Sequence, residues 1–119
     1  MDTESDARDD SDGDMRALVR RYYDALDDHD YDALEETLSP EFVQHRPDRT
    51  FESRNEFVEF MREKRPNPDT SHDLESVIAE DGQIAVRGRV IEAGTTLFEF
   101  ADFFETDGGR LARLETYSR

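Results

Sequence analysis

The segment LFEFADFFE, residues 97–105, places an aspartate in a row of aromatic rings. Read as a strand, it puts Phe98, Phe100, Asp102 and Phe104 on one face, and Leu97, Glu99, Ala101, Phe103 and Glu105 on the other. Three phenylalanines mark the first face as the core side, and Asp102 is its exception. A carboxyl among phenyl rings loses its hydration, which raises its pKa and makes a neutral, proton-donating acid available. An arginine or backbone N–H groups would instead hold it as a structural carboxylate, and Arg113 on the next strand could do so in one of two registers. Buried, unpaired carboxyls concentrate at functional sites, so a catalytic role is expected for Asp102.

A second group with chemistry in it is FVQHRP, where His45 and Arg46 stand side by side before Pro47. Histidine changes charge near neutral pH, so His45 reads as a base or proton shuttle, or else as a loop imidazole bonded to backbone or water. Tyr22 and Tyr23 are adjacent. Only one is expected to face the core, and Tyr22 fits the apolar stripe, either as plain packing or with its hydroxyl reaching a pocket. His29 in an acidic turn and His72 at the start of a strand are expected to be exposed. Three histidines so scattered show no metal-binding spacing, and there is no Gly-rich phosphate loop or nucleophile elbow. No metal and no cofactor are expected.

These residues need elements to hold them. Residues 1–13 are acidic and aperiodic and are expected to form a disordered tail ahead of one domain over 14–119. Met15, Leu18, Val19, Tyr22 and Leu26 make one face of a first helix, ended by the DDHD run. Tyr31, Leu34 and Leu38 mark a short second helix closed by Pro40, and EFV is an extended piece leading to His45. Ser53 and Glu56 form a capping box for a third helix carrying Phe57, Phe60, Met61 and Lys64. Strands follow over 72–79, 83–92, 96–106 and 110–117. A three-residue loop at AGT would set Val86 opposite Asp102, Gly88 opposite Phe100 and Arg89 opposite Glu99, with Arg89 and Glu99 pairing their charges. In the last strand Ala112, Leu114 and Thr116 are expected to face inward, because the other face would bury two charges. Helices first and a meander after is an α+β pattern: three helices on one face of a curved antiparallel or mixed sheet.

The chain has 119 residues, enough for one modest core. Its formal net charge of −16 repels nucleic acid and anionic membranes. It has no cysteine, no apolar run of membrane-spanning length and no signal-peptide pattern, so a cytoplasmic location is expected. Acidic residues run along the whole chain, and Lys64 is the sole lysine. This texture resembles proteins of salt-loving archaea, whose self-repulsion high salt screens; an ordinary acidic protein is the alternative.

LVRRYYDALDDHDYDALEETLSPEFVQHRP and ADFFETDGGRLARLETY resemble the opening and the closing strand pair of the nuclear transport factor two-like superfamily. Ketosteroid isomerases and SnoaL-like polyketide cyclases lie within it. The resemblance spans about residues 15–118. It implies a cone-shaped fold with a cavity between helices and sheet. Ketosteroid isomerases use an aspartate base facing a tyrosine and a protonated aspartic acid. By resemblance Tyr22 is the tyrosine, Asp102 the protonated acid, and the base position falls at Arg46 or His45. Arginine is no base at neutral pH, so the arrangement is closer to SnoaL-like members with a histidine before proline. Phe57, Met61, Val86, Phe100, Phe104 and Leu114 would line the cavity. The outer sheet face, with Ala101, Phe103, Arg87 and Arg89, would pair two copies as a homodimer. The implied function is acid–base isomerisation, cyclisation or hydration of a small apolar carbonyl compound. A non-catalytic binding or dimeric scaffold module is the alternative.

Overall fold

The computed structural model describes residues 3–65 and 69–119, with side chains from residue 13 onward. Helix α1 runs Thr3–Asp28, α2 Tyr31–Thr37 and α3 Arg54–Glu63. Six strands follow or intervene: β1 Leu38–His45, β2 Thr50–Phe51, β3 Ser71–Glu80, β4 Gln83–Glu92, β5 Thr95–Asp107 and β6 Arg110–Ser118. They form one sheet in the order β2-β1-β6-β5-β4-β3. The β1–β6 pair is parallel and the other neighbours are antiparallel. Three helices on one six-stranded mixed sheet is the α+β architecture that the sequence predicts.

The backbone of α1 is helical from Thr3, in the stretch whose composition predicts a disordered tail. The apolar stripe then docks on the sheet: Met15, Leu18, Val19, Tyr22 and Leu26 are all buried. His29 ends the helix in the left-handed region at φ 58°, and the Asp30 N–H donates to the Ala25 carbonyl at 2.9 Å. Ser53 caps α3 by accepting from the Glu56 N–H at 3.1 Å. Glu56 returns the bond to the Glu52 N–H, one residue before the cap, at 3.3 Å. The second helix stops at Thr37, before Pro40, because the chain is already extended from Leu38.

The register of β4 against β5 is as the sequence predicts. Val86 pairs with Asp102, Gly88 with Phe100 and Arg89 with Glu99. The route differs. The turn has two residues, Ala93 at φ 51° and Gly94 at φ 80°, and a register shift between Val90 and Ile91 restores the alignment a three-residue loop would give. The expected Arg89–Glu99 ion pair is replaced: Arg89 reaches Asp73 on β3 at 2.5 Å, and Glu99 pairs with Arg119 at 3.6 Å. On β6 Leu114 is fully buried and Thr116 half-buried, as expected, but Leu111 is fully buried too. A register shift between Glu105 and Thr106 turns it inward without burying Arg113, which lies beside Glu105 and Glu115.

Gly88 lets β3, β4 and the Phe100 ring close together. A Cβ there would stand 2.5 Å from the Asp73 carbonyl oxygen and 2.9 Å from the Phe100 ring. Gly88→Ala therefore has to move backbone or ring, and overpacking of this kind costs about 1–3 kcal/mol. Urea unfolding of the variant is expected to show a loss of that size, and unchanged stability would mean the strands are more loosely joined.

Candidate functional site

Asp102 is 5% exposed and faces inward from the centre of the sheet. Burial pushes its pKa above the ordinary carboxylate range. The Tyr23 hydroxyl pulls the other way: it donates to Oδ2 at 2.5 Å. Thr116, the β6 partner of Asp102, also favours the carboxylate without a hydrogen bond of good geometry, as do the charges of His72 and Arg46. Oδ1 is buried with no hydrogen-bond partner among the described residues. The acid is thus gripped by one oxygen and unsatisfied at the other.

Both tyrosines of α1 are buried, Tyr22 at 3% and Tyr23 at 2% exposure, which corrects the expectation that only one faces the core. The apolar face of α1 is wide enough for two rings. Tyr22 packs on Phe57 and Phe104, with centroids at 6.3 and 5.4 Å. Tyr23 packs on Phe100 and His72, at 5.8 and 5.1 Å. The partner of Asp102 is Tyr23. Its signal was in the sequence: Val19, Tyr23 and Leu26 stand at i, i+4 and i+7. Burial and the nearby Asp102 raise both phenols well above their ordinary pKa, so both remain hydroxyl donors.

His45 is not where its expected role requires it. It is exposed, pairs with Glu115 across the β1–β6 ladder, and has Nδ1 3.2 Å from the Thr50 hydroxyl. Strand β1 continues through His45, so alternation sends Phe42 and Gln44 inward and His45 outward. Gln44 fills the inward place. Its Nε2 donates to the Thr116 hydroxyl at 2.8 Å, and its Oε1 is buried without a partner.

The histidine that does reach the site is His72, which the sequence places in solvent. Its Nδ1 lies 2.6 Å from Asp27 Oδ1, and its backbone N–H donates to Asp27 Oδ2 at 3.0 Å. The side chain is 15% exposed. A register shift between Leu74 and Ser76 explains the misreading. Counting back from inward Val77 and Ala79 by twos puts residue 72 outside. The bulge inverts that parity, and His72 pairs with inward Val90. With Asp27 accepting from Nδ1–H, Nε2 of the neutral ring is the basic nitrogen.

These groups share a cavity of about 300 Å³. Asp102, Tyr22, Tyr23, His72, Gln44 and Arg46 supply its polar wall, with Met61, Phe100, Leu26, Phe60, Val90 and Phe98 among its apolar lining. Of the expected lining residues, Met61 and Phe100 are there. Phe57, Val86, Phe104 and Leu114 are solid core behind it. Among the described residues no group of three His, Cys, Asp or Glu side chains could hold a metal ion. No described helix is long and apolar enough to cross a membrane.

A family model for the SnoaL-like domain matches residues 19–114. The protein belongs to the SnoaL-like family. No curated protein matches its sequence. Solved structures show the fold widely shared. A candidate ketosteroid isomerase from Kribbella flavida is 18% identical, with TM-score 0.79, over 90% of this chain and 78% of that one. A candidate polyketide cyclase from Sinorhizobium meliloti is 22% identical, with TM-score 0.74, over 87% and 98%. An LEH-like epoxide hydrolase from M. tuberculosis is 15% identical, with TM-score 0.76, over 92% and 85%. None of the three speaks to the salt-loving origin that the composition suggests.

The Tyr23–Asp102 contact of this SnoaL-like domain has a measurable consequence. Tyr23→Phe leaves both carboxyl oxygens of Asp102 without a partner, a loss of about 1–3 kcal/mol by urea unfolding. It also removes a bond that favours the carboxylate, so the Asp102 titration, followed by carboxyl ¹³C NMR, is expected to move further up. In the unmutated protein Asp102 binds its proton more tightly folded than unfolded. Its stabilising contribution is therefore complete below the ordinary carboxylate range and is lost as pH rises through the raised value. Asp102→Asn is expected to flatten that fall in stability, and an unchanged pH profile would contradict the burial of this acid.

Proposed function

We propose that this SnoaL-like domain binds a small carbonyl compound and moves a proton between two of its atoms. The observation that carries this reading is one cavity bearing both a desolvated acid and an oriented imidazole. Asp102 has its titration raised by burial and Oδ1 unoccupied, so it can hold a proton for a carbonyl oxygen. His72, fixed by Asp27, can take a proton from the adjacent carbon through Nε2. The Tyr22 hydroxyl makes no hydrogen bond among the described residues and lines the same cavity, where it can support developing oxyanion charge. The protons balance within one turnover. Asp102 gives one to oxygen as His72 removes one from carbon; His72 then delivers its proton to the new carbon while the oxygen returns the other to Asp102, which gives an isomer and restores both groups. The same pair serves a cyclisation that begins with enolisation. In this reading the base is His72 and not His45.

The chemistry is tested by ¹H NMR in D₂O with a panel of small cyclic ketones and enones. Deuterium exchange at the carbon beside the carbonyl is expected to be catalysed. Asp102→Asn and His72→Gln should each slow it by roughly 10²–10⁴-fold, while His45→Ala leaves it unchanged. Binding of the same ketones without exchange, insensitive to those substitutions, would favour a non-catalytic binding module.

We further propose that two copies pair through the outer sheet face. Phe103 and Tyr117 stack there with centroids 5.9 Å apart while remaining 48% and 53% exposed, and Ile78 is 60% exposed. Sedimentation analysis is expected to give a dimer that Phe103→Glu converts to monomer; a monomeric parent protein would remove this proposal.

A further inference from the structure

The cavity combines an apolar lining with an unspent cation. Arg46 follows the last inward residue of β1 by two positions, so its side chain turns to the same side as Gln44 and lines the cavity. Its Nε is buried and has no hydrogen-bond partner among the described residues. The nearest carboxylate is Asp48 Oδ1 at 3.8 Å, beyond hydrogen-bond reach, on a residue two-thirds exposed whose other oxygen is as close to Arg49. A buried guanidinium nitrogen left unpaired is costly, and a ligand that satisfies it recovers that cost.

The other charged groups around the cavity have partners of their own. Asp27 is engaged by the His72 ring and the His72 backbone N–H. Arg65 also lines the cavity, but Nη1 donates to the Leu26 carbonyl in the last turn of α1 and Nη2 to the Thr70 hydroxyl, both at 2.8 Å. The negative end of the helix dipole answers part of that charge. Asp102 is the remaining acid, and it is the one that burial drives toward its neutral form. Its Oδ2 is held by Tyr23, and among the described residues no ion pair joins it to Arg46, so Arg46 has no bound carboxylate counterpart inside the cavity.

We propose that Arg46 makes this cavity an anion-binding site, and that its natural ligand is a small oxo-acid: an apolar carbonyl compound carrying a carboxylate that docks on the Arg46 guanidinium. A planar carboxylate is the anion that matches a guanidinium fork. The carboxylate occupies the Arg46 wall and leaves the carbonyl for Asp102. This substrate class rests on the acid–base reading above, but the anion site itself does not.

The test uses the full chain and isosteric pairs of probes. Benzoate against benzamide, and phenylacetate against phenylacetamide, are titrated calorimetrically and by NMR of the Arg Nε–H resonances. Each carboxylate is expected to bind about 10- to 100-fold more tightly than its amide and to shift the Arg46 resonance. Arg46→Gln should erase that preference, and Arg46→Lys, which keeps the charge and controls for folding, should retain part of it. Arg49→Gln, the neighbour that shares Asp48 without lining the cavity, should leave it intact. Equal binding of carboxylate and amide, a preference that survives Arg46→Gln, or no saturation by either carboxylate at millimolar concentrations would overturn the proposal. The chemistry is scored separately with a 2-oxo acid and its methyl ketone analogue. Carboxylate binding without deuterium exchange removes the acid–base reading and keeps the anion site. Exchange at equal kcat/KM for both compounds keeps the chemistry and removes the oxo-acid as its substrate class.

Discussion

The structure turns on one hydrogen bond between a helix and a sheet. Tyr23 of α1 donates to Asp102 at the centre of β5, and both groups are almost wholly out of water. A bare carboxyl in that position would be among the most expensive groups in the core. The phenol makes it tolerable and also fixes how α1 sits. The helix cannot rotate far about its axis without either breaking this bond or lifting Val19 and Leu26 from the apolar face. Since Asp27 lies four residues after Tyr23, the same docking delivers Asp27 to His72. One helix thus presents a phenol to Asp102 and a carboxylate to His72, and the helical repeat sets the spacing between them.

That arrangement separates two carboxylates into different roles. Asp27 meets an imidazole and a backbone N–H, so its charge is answered in place. Asp102 meets rings, one phenol and a void, so its charge is answered poorly. Environment alone thus gives identical side chains different electrostatic surroundings. The same contrast holds between the phenylalanines. Phe104 fills solid core against Tyr22, whereas Phe100 stands at the cavity wall against Tyr23 and His72.

Asp102 was legible in the sequence because an uninterrupted run of alternating residues surrounds it, and its β4 partner Val86 followed from the hairpin alone, whereas the β6 register that sets Thr116 beside it did not. The inward histidine was not legible. Two histidines stand near strand termini, and the parity of each strand decides which one enters the cavity. In β1 the strand continues regularly through His45 and turns it out. In β3 a bulge near Glu75 inverts the count and turns His72 in. A bulge is a backbone event that the types of Leu74, Glu75 and Ser76 do not announce. The second tyrosine was missed for a different reason. The apolar face of α1 is broader than a single stripe, so adjacent residues can both be buried when one meets α3 and β5 and the other meets β3 and β5. Phe57, Val86, Phe104 and Leu114 were correctly read as inward, but alternation does not distinguish a packed wall from the lining of a void.

The overall charge of −16 and the cationic cavity wall act at different ranges. Exposed carboxylates spread over the surface are screened within about 8–10 Å at physiological ionic strength. The Arg46 side chain is partly exposed, but its Nε is buried beside a partly apolar cavity, where the effective dielectric is lower than at the open surface and a contact charge is felt more strongly. An approaching anion is therefore slowed by the surface and held by the interior. Such a site disfavours polyanions, which carry their charge across the whole acidic surface, and accepts a compact monoanion whose charge ends at one guanidinium. An acidic surface that repels polyanions is thus compatible with an interior that takes a carboxylate, because the first is a property of the summed field and the second of one unpaired nitrogen.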